Sequence, residues 1–445
     1  MKKYQAFLAT LLLAGAVQAQ SLSTKIETLV NAYHNTHQFN GSLLVAQHGT
    51  IIYKGGVGFK NAGTGAVNTE NSIFQIGSVT KQFTSAVIMQ LQQEGRLSVL
   101  DHLDKYLPGF PNGNRITIEQ LLTHTSGLHN YTDDTDFQKA DLTKPYDDTT
   151  LLSRIGKYAL DFPPGTSWKY SNSGYIMLGL VIKKVTGHPY EQEVRRRIFQ
   201  PLGMTHSGFD FMHLADTNKT QGYFRLDEEA ATPSFAIDST IAYSAGAIYT
   251  TVGDLYKWER GISANKILTA ASWKAVFTPH QHKYGYGWGI DTAYGNTIMN
   301  HGGSIPGFFS YIARIPAEDL VVIAIDNSSQ PKDNLVHALV ALVLNQPYKV
   351  PAIPKETVVA NDTLKQYVGE YELAPNFTLT ITLGTNGLRA QGTGQDAFDL
   401  FAEKENLFFV KVVVAEVEFF KDANGAVDRL ILYQNGQQVK GKKIK

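Results

Sequence analysis

The chain has 445 residues, 43% of them hydrophobic, with 40 Lys and Arg set against 40 Asp and Glu and no cysteine. Balanced charge gives no footprint for nucleic acid or an acidic surface, and the lack of cysteine excludes disulfides, lipid attachment at a cysteine and thiol catalysis. The length suits two or three domains.

Met1-Lys2-Lys3 starts the chain with positive charge, Phe7 to Val17 is apolar, and Val17-Gln18-Ala19 has the small-residue pattern of a cleavage site. This predicts a secretory signal peptide over residues 1–19, since the apolar run is too short to favour a membrane span. An exported chain without disulfides suits a bacterial periplasm. No later segment is long and apolar enough to cross a bilayer.

A helix is expected over Thr24–His37 and strands within Gly41–Phe59. The apolar run Ile73-Phe74-Gln75-Ile76-Gly77 then leads into Ser78-Val79-Thr80-Lys81, followed by a helical pattern from Gln82 to Leu91. A serine three residues before a lysine at a helix start shares its face. A desolvated lysine amine can take the serine proton and turn a poor nucleophile into a good one. The helix N-terminus adds free N–H groups that favour developing negative charge. Alone, the pattern reads as a helix cap with a solvated lysine.

Next comes the loop Pro163-Pro164-Gly165-Thr166-Ser167-Trp168-Lys169, which presents Tyr170, Ser171 and Asn172 ahead of an apolar helix from Ile176 to Val185. A phenol beside an ammonium is expected to have a lowered pKa, so Tyr170 is read as base or proton shuttle. Asn172 carries both an acceptor and a donor, suited to holding the lysine and a substrate amide. Arg195-Arg196-Arg197, after Glu191 and Glu193, reads as a solvated helix face with ion pairs. His124, His129, His280 and His282 lack the company a metal site needs and are read as structural or exposed; no metal and no cofactor are predicted.

His301-Gly302-Gly303-Ser304-Ile305-Pro306-Gly307 precedes the strand pattern Phe309 to Ile315. Glycines there let a strand edge approach a ligand, and a backbone N–H on that edge can join the N–H of Ser78 in an oxyanion hole.

Ser-x-x-Lys, Tyr-Ser-Asn and His-x-Gly in this order resemble the serine beta-lactamase and penicillin-binding-protein superfamily, in particular its class C beta-lactamase-like branch of DD-peptidases, D-aminopeptidases and esterases. Leu97-Ser98-Val99-Leu100-Asp101 with Tyr106-Leu107-Pro108, Ile116 to Leu128, Tyr175 to Gly179, Val185-Thr186-Gly187 and Ser244 to Tyr249 add to the likeness, which runs from about residue 25 to about residue 345. The resemblance implies that Ser78 is the acylated nucleophile, Lys81 and Tyr170 the proton-transfer pair, and Asn172, His301 and Gly303 the residues that bind and position substrate. It implies oxyanion donors at the backbone of Ser78 and Ser304. His301 stands where many relatives carry a lysine, so a permanent cation for a substrate carboxylate is missing.

Gln346 to Lys355 holds three prolines and reads as a semi-rigid linker, taken here as residues 346–362. Beyond it, Thr378–Leu383, Leu407–Val414, Glu416–Phe420 and Leu430–Tyr433 read as strands, with turns at Ala423-Asn424-Gly425 and Asn435-Gly436. Such spacing suggests a small antiparallel barrel. Tyr367-Val368-Gly369-Glu370-Tyr371 resembles the lipocalin-like C-terminal domain carried by some members of the same branch. The tail Lys440-Gly441-Lys442-Lys443-Ile444-Lys445 reads as a solvated terminus.

The expected fold is α/β of the α+β type. An antiparallel sheet from Gly41–Phe59 and Tyr284–Ile325 is flanked by the N-terminal helix and a Leu335–Leu344 helix, with a helical subdomain over 79–262. The expected domains are a hydrolase at 20–345 and a lipocalin-like barrel at 363–445. The expected function is a secreted serine hydrolase acting on small D-amino-acid-containing or cell-wall-derived peptides, with peptidoglycan fragments as a further ligand class. A broad esterase or weak beta-lactamase, and a penicillin-binding sensor without turnover, are the alternatives. The substrate is then a small peptide, amide or ester, with no nucleic-acid partner.

Overall fold

The computed structural model describes residues 22–445 except 228–229, 329–332, 353, 386, 412–414 and 435–436. The signal-peptide segment 1–19, Val412 to Val414 of a predicted strand and the Asn435-Gly436 turn lie outside the described residues. The chain divides into two compact units that part between Val350 and Pro351, with Asn35–Gln38 grouped with the second.

The first unit is built on a six-stranded antiparallel sheet. Its order is Thr50–Val57, Gly41–Gln47, Leu320–Asp326, Phe308–Ile315, Asn296–Ile305 and Gly289–Ala293. The register is fixed by pairs such as Leu43↔Ala324 and Tyr311↔Ala324. Strand residues alternate between faces, and here both faces are apolar. Leu43, Val45, Val322 and Ala324 pack in one cluster with Leu335, Val336 and Leu339 of the helix Asp333–Val343 and with Ile26, Leu29 and Val30 of the helix at 22–35. Leu44, Ala46, Ile323 and Ile325 turn the other way into a larger cluster with Phe83, Val87 and Trp258.

That second face carries the helical part. The helix Thr80–Gln93 is buried at nearly every position and runs through its centre. Trp258 stacks on Phe83 at 4.5 Å and donates its indole N–H to Gln82 at 3.0 Å, which fixes the helix axially. Each fully buried side chain of this size contributes roughly 1.5–3 kcal/mol of hydrophobic free energy. The helix Asn172–Thr186 lies against it, with Ile176, Met177 and Val181 in the same core. Arg197 departs from the expected solvated face. It is buried and bonded to Glu193 and Glu94, each at 2.5 Å, because a guanidinium inside a core needs paired carboxylates.

The second unit is a closed eight-stranded antiparallel barrel from Gly369–Ala374 to Gln437–Lys443. Tyr367 stacks on Phe419 at 4.4 Å, and Phe408, Leu379, Ile381 and Leu430 join them inside. The Gly387–Gly392, Phe398–Ala402 and Gln437–Lys443 strands have no counterpart among the predicted ones. The tail therefore needs correction: Gln437–Lys443 closes the barrel by pairing with Val427–Gln434 and Gly369–Ala374. Its backbone completes the barrel while Lys440 and Lys442 stay exposed, so the segment is both paired and solvated. The helix Asn361–Tyr367 begins inside the segment read as linker. No helix among the described residues is long and apolar enough to cross a membrane.

Candidate active site

Ser78 sits in a short 3-10 turn, Gly77–Val79, that runs directly into the helix Thr80–Gln93. Gly77 has φ +48, and a Cβ there would lie 2.8 Å from both N and O of Ser304. Glycine alone tolerates this backbone and this approach. Ser78 is half-buried while its neighbours Gly77, Val79 and Lys81 are buried. One turn on, Lys81 brings Nζ to 3.0 Å from Ser78 Oγ.

Among the described residues the lysine has no carboxylate partner. Its other contacts are the side-chain carbonyl of Asn172 at 2.8 Å and the backbone carbonyl of Ala245 at 2.9 Å. Burial without a counter-charge holds its pKa well below the ordinary lysine value. A neutral amine has two N–H groups and one lone pair. In that form the Asn172 and Ala245 carbonyls accept the two N–H groups, and the lone pair is left for the Ser78 hydroxyl 3.0 Å away.

Tyr170 donates its phenol O–H to Ser78 Oγ at 2.7 Å. The lowered phenol pKa expected from sequence does not hold. Burial pushes the Tyr170 phenol well above its usual value, offset only in part by the bond to Ser78. The reason is that burial lowers the Lys81 pKa too, so the cation that was to stabilise phenolate is itself disfavoured. Tyr170 is a donor here.

Asn172 is the first residue of its helix, after Ser171 in extended conformation. Its backbone N–H donates to Asn130 Oδ1 at 2.9 Å and its side-chain Nδ2 to Thr132 at 3.1 Å. Those bonds aim Oδ1 at Lys81, and they spend one of the two Nδ2 hydrogens. Ala245 is placed by the segment that follows it: Ile76 N–H donates to Ile248 O at 2.9 Å and Ile248 N–H to Thr80 at 3.1 Å.

His301 is buried in the strand Asn296–Ile305. Nδ1–H donates to the Gly302 carbonyl at 2.5 Å, and Nε2 accepts the Tyr284 O–H at 2.8 Å. Burial first, then the nearby Lys81, push its pKa down to about 4 despite the Gly302 carbonyl. The ring is neutral and both nitrogens are engaged.

Pro306 and Gly307 close a hairpin whose last pair is Ile305↔Phe308. Residues along an antiparallel strand direct their backbone groups to alternate sides. Counting back from that pair, Gly303 faces the neighbouring strand and Ser304 faces away. The strand on that outer side ends its pairing at Asn300↔Gly289, so the Ser304 N–H points past its end, toward Gly77 and Ser78. Gly303 is needed for the approach, since a Cβ there would lie 2.0 Å from Ile76 O.

The structure thus brings Ser78, Lys81, Tyr170 and Asn172 into direct contact, with the backbone of Gly303 and Ser304 alongside. His301 stands behind them, tied to Tyr284. Ala245, Thr132 and Tyr284 were not found from sequence, and His124 was read only as structural or exposed. It is 1% exposed, and its ring lies 4.3 Å from that of Tyr170. The run Thr123-His124-Thr125-Ser126-Gly127, directly after the helix Ile118–Leu122, is the available clue. His129 bridges Asp134 at 3.1 Å and Asp161 at 2.8 Å.

The chain resembles known proteins in both of its units. Residues 26–346 match the family described as Beta-lactamase, and residues 354–443 match a domain of unknown function, DUF3471. Penicillin-binding protein 4* of Bacillus subtilis (strain 168) is 27% identical over 94% of this chain and 98% of its own length. The octameric penicillin-binding protein homologue from Pyrococcus abyssi superposes with a TM-score of 0.67 at 25% identity, covering 94% of this chain and 99% of that one. A D-stereospecific amidohydrolase from Streptomyces sp. superposes with a TM-score of 0.62 at 26% identity, covering 72% of this chain and 98% of its own.

Proposed function

This chain belongs to the beta-lactamase family, a family of serine hydrolases, and on that premise we propose that it hydrolyses amide bonds in small D-amino-acid-containing or cell-wall-derived peptides through an acyl-enzyme on Ser78. The observation that carries the reading is the Lys81 amine at 3.0 Å from Ser78 Oγ with only neutral partners.

The Ser78 proton passes to Lys81 as Oγ attacks the carbonyl carbon. The carbonyl oxygen gathers negative charge between the N–H groups of Ser78 and Ser304, an interaction worth about 3–4 kcal/mol per donor in comparable sites. Tyr170 hands its phenol proton to the leaving nitrogen and regains one from Lys81, so the amine departs neutral. Water then attacks the ester, gives its proton back through the same pair, and frees Ser78. Asn172 keeps the amine aimed and has an amide hydrogen for the substrate.

The neutral His301 supports the choice of substrate. With its pKa near 4 it offers no cation to a free carboxylate, so amides and peptides cleaved away from a carboxyl terminus fit better than a terminal D-Ala-D-Ala. The similarity to a D-stereospecific amidohydrolase supports the same choice. Export to a periplasm belongs to the proposal and rests on Met1 to Ala19; N-terminal sequencing of the mature protein tests it.

A panel of D-amino-acid amides, D-Ala-D-Ala peptides and short-chain esters, run with Ser78→Ala as control, tests the function. Amide turnover that exceeds carboxypeptidase turnover and vanishes in the variant is expected. Preferred release of terminal D-alanine would refute the substrate reading. A penicillin adduct that persists on wild type, with no turnover of the panel, would make the protein a sensor.

A further inference from the structure

We propose that His124 is a positioning residue for acylation, holding the Tyr170-Ser171-Asn172 segment so that the Tyr170 phenol and the Asn172 amide converge on Ser78 and Lys81. The inference rests on the reading of Ser78 as nucleophile. His124 grips that segment at successive points. Its Nδ1 accepts the Ser171 N–H at 3.2 Å, and its backbone carbonyl accepts the Lys169 N–H at 3.1 Å. Its ring packs 4.3 Å from Tyr170 and 4.7 Å from Tyr284, the phenol that holds His301.

The chemistry of the ring separates this role from packing. Because Nδ1 accepts, Nε2 carries the proton, and among the described residues the buried Nε2 has no hydrogen-bond partner. A buried unpaired N–H destabilises the fold. An apolar side chain would fill the space without that penalty, and what it would lack is the acceptor for Ser171. Burial, with Lys81 and His301 nearby, keeps the ring neutral, so it takes no proton from the reaction.

The test compares His124→Leu, which removes the acceptor, with His124→Asn, which keeps one; because the left-handed φ of 60° also favours Asn over Leu, rates are compared at temperatures well below the measured Tm of each variant. The probe is p-nitrophenyl acetate, with Ser78-dependent nitrophenol release followed in the acylation phase. The Leu variant is expected to acylate about 100-fold more slowly and the Asn variant to recover to within about 10-fold of wild type, with substrate affinity little changed in both. Wild-type rates in the Leu variant, or equal losses in the two variants, would overturn the proposal. If wild type shows no Ser78-dependent release, the nucleophile reading fails instead. Histidine 15N shifts then decide for His124 by themselves: an unprotonated Nδ1 between about pH 5 and 9 supports the contact, and a protonated or titrating Nδ1 refutes it.

Discussion

Lys81 Nζ and the Ala245 carbonyl oxygen stand 2.9 Å apart, although 164 positions separate them in the chain. The carbonyl is delivered by a bend at Tyr243, whose φ of 38° and ψ of −129° lie outside the helical region within the segment Ser239–Gly246. Strained backbone of this kind persists where the surroundings over-determine it. Here it gives the lysine a second neutral acceptor, so the amine can be both buried and aimed.

Lys81→Arg is expected to lower acylation by about 100-fold or more, since a guanidinium keeps its proton in a protein and cannot act as base. Nitrophenol release from p-nitrophenyl acetate measures it. Retention of wild-type acylation would show that the neutral amine is not the base.

The pH dependence of kcat/KM should follow from a lysine pKa held well below 10.5 and a phenol pKa held above its usual value. Lys81 is active when deprotonated, so the rate falls on the acid side and levels well below the ordinary lysine pKa. No further rise from phenolate is expected up to about pH 10. Tyr170→Phe should cut the rate by about 100-fold without moving the acid limb, and its effect should not add to that of a Lys81 variant. A rate that climbs with phenol ionisation would restore Tyr170 as the base.

Acid stability should depend on His301. Its folded pKa of about 4 lies below the ordinary 6.5, so the unfolded chain binds the extra proton first and stability falls as pH drops. The loss begins near the ordinary value, is complete below the folded one, and amounts to about 3 kcal/mol. Comparing Tm of wild type and His301→Gln from neutral to acid pH isolates this contribution from the carboxylates. Parallel curves would mean that His301 is not held neutral by the fold.

Gly77→Ala is expected to destabilise the protein and slow acylation together. A methyl group at φ +48 would press on the Ser304 backbone at 2.8 Å, the strand edge that holds the second oxyanion donor. Thermal melts and acylation rates of the purified variant test it. Wild-type behaviour in both would mean that the Gly77–Ser304 approach is looser than described.

The local readings survived where chemistry and chain order coincide. Ser78 and Lys81 meet because they are one helical turn apart, which a sequence displays directly. Tyr170 and Asn172 were legible as a loop ahead of a helix, and Gly303 as a strand edge made for close approach. The protonation states were not legible. The sequence predicts that Lys81 acidifies Tyr170, and only the burial of both groups shows that charge is disfavoured on each. Arg197 reads from sequence as solvated and is buried, and the tail lysines Lys440 and Lys442 are exposed as expected but stand on a closing strand, Gln437–Lys443; the partners Glu94 and Gly369–Ala374 lie far away in the chain.

The sequence by itself determined the nucleophile turn, the loop before the Asn172 helix, the strand-rich character of the C-terminal part and the family resemblance, all of which depend on residue types and short spacings. Tertiary structure alone decided that Ala245 caps the lysine, that His124 backs Tyr170, that Tyr284 pins His301, and that burial disfavours charge on Lys81 and Tyr170. Those outcomes depend on desolvation and on contacts between distant segments. Neither quantity is a property of any residue until the chain has closed around it.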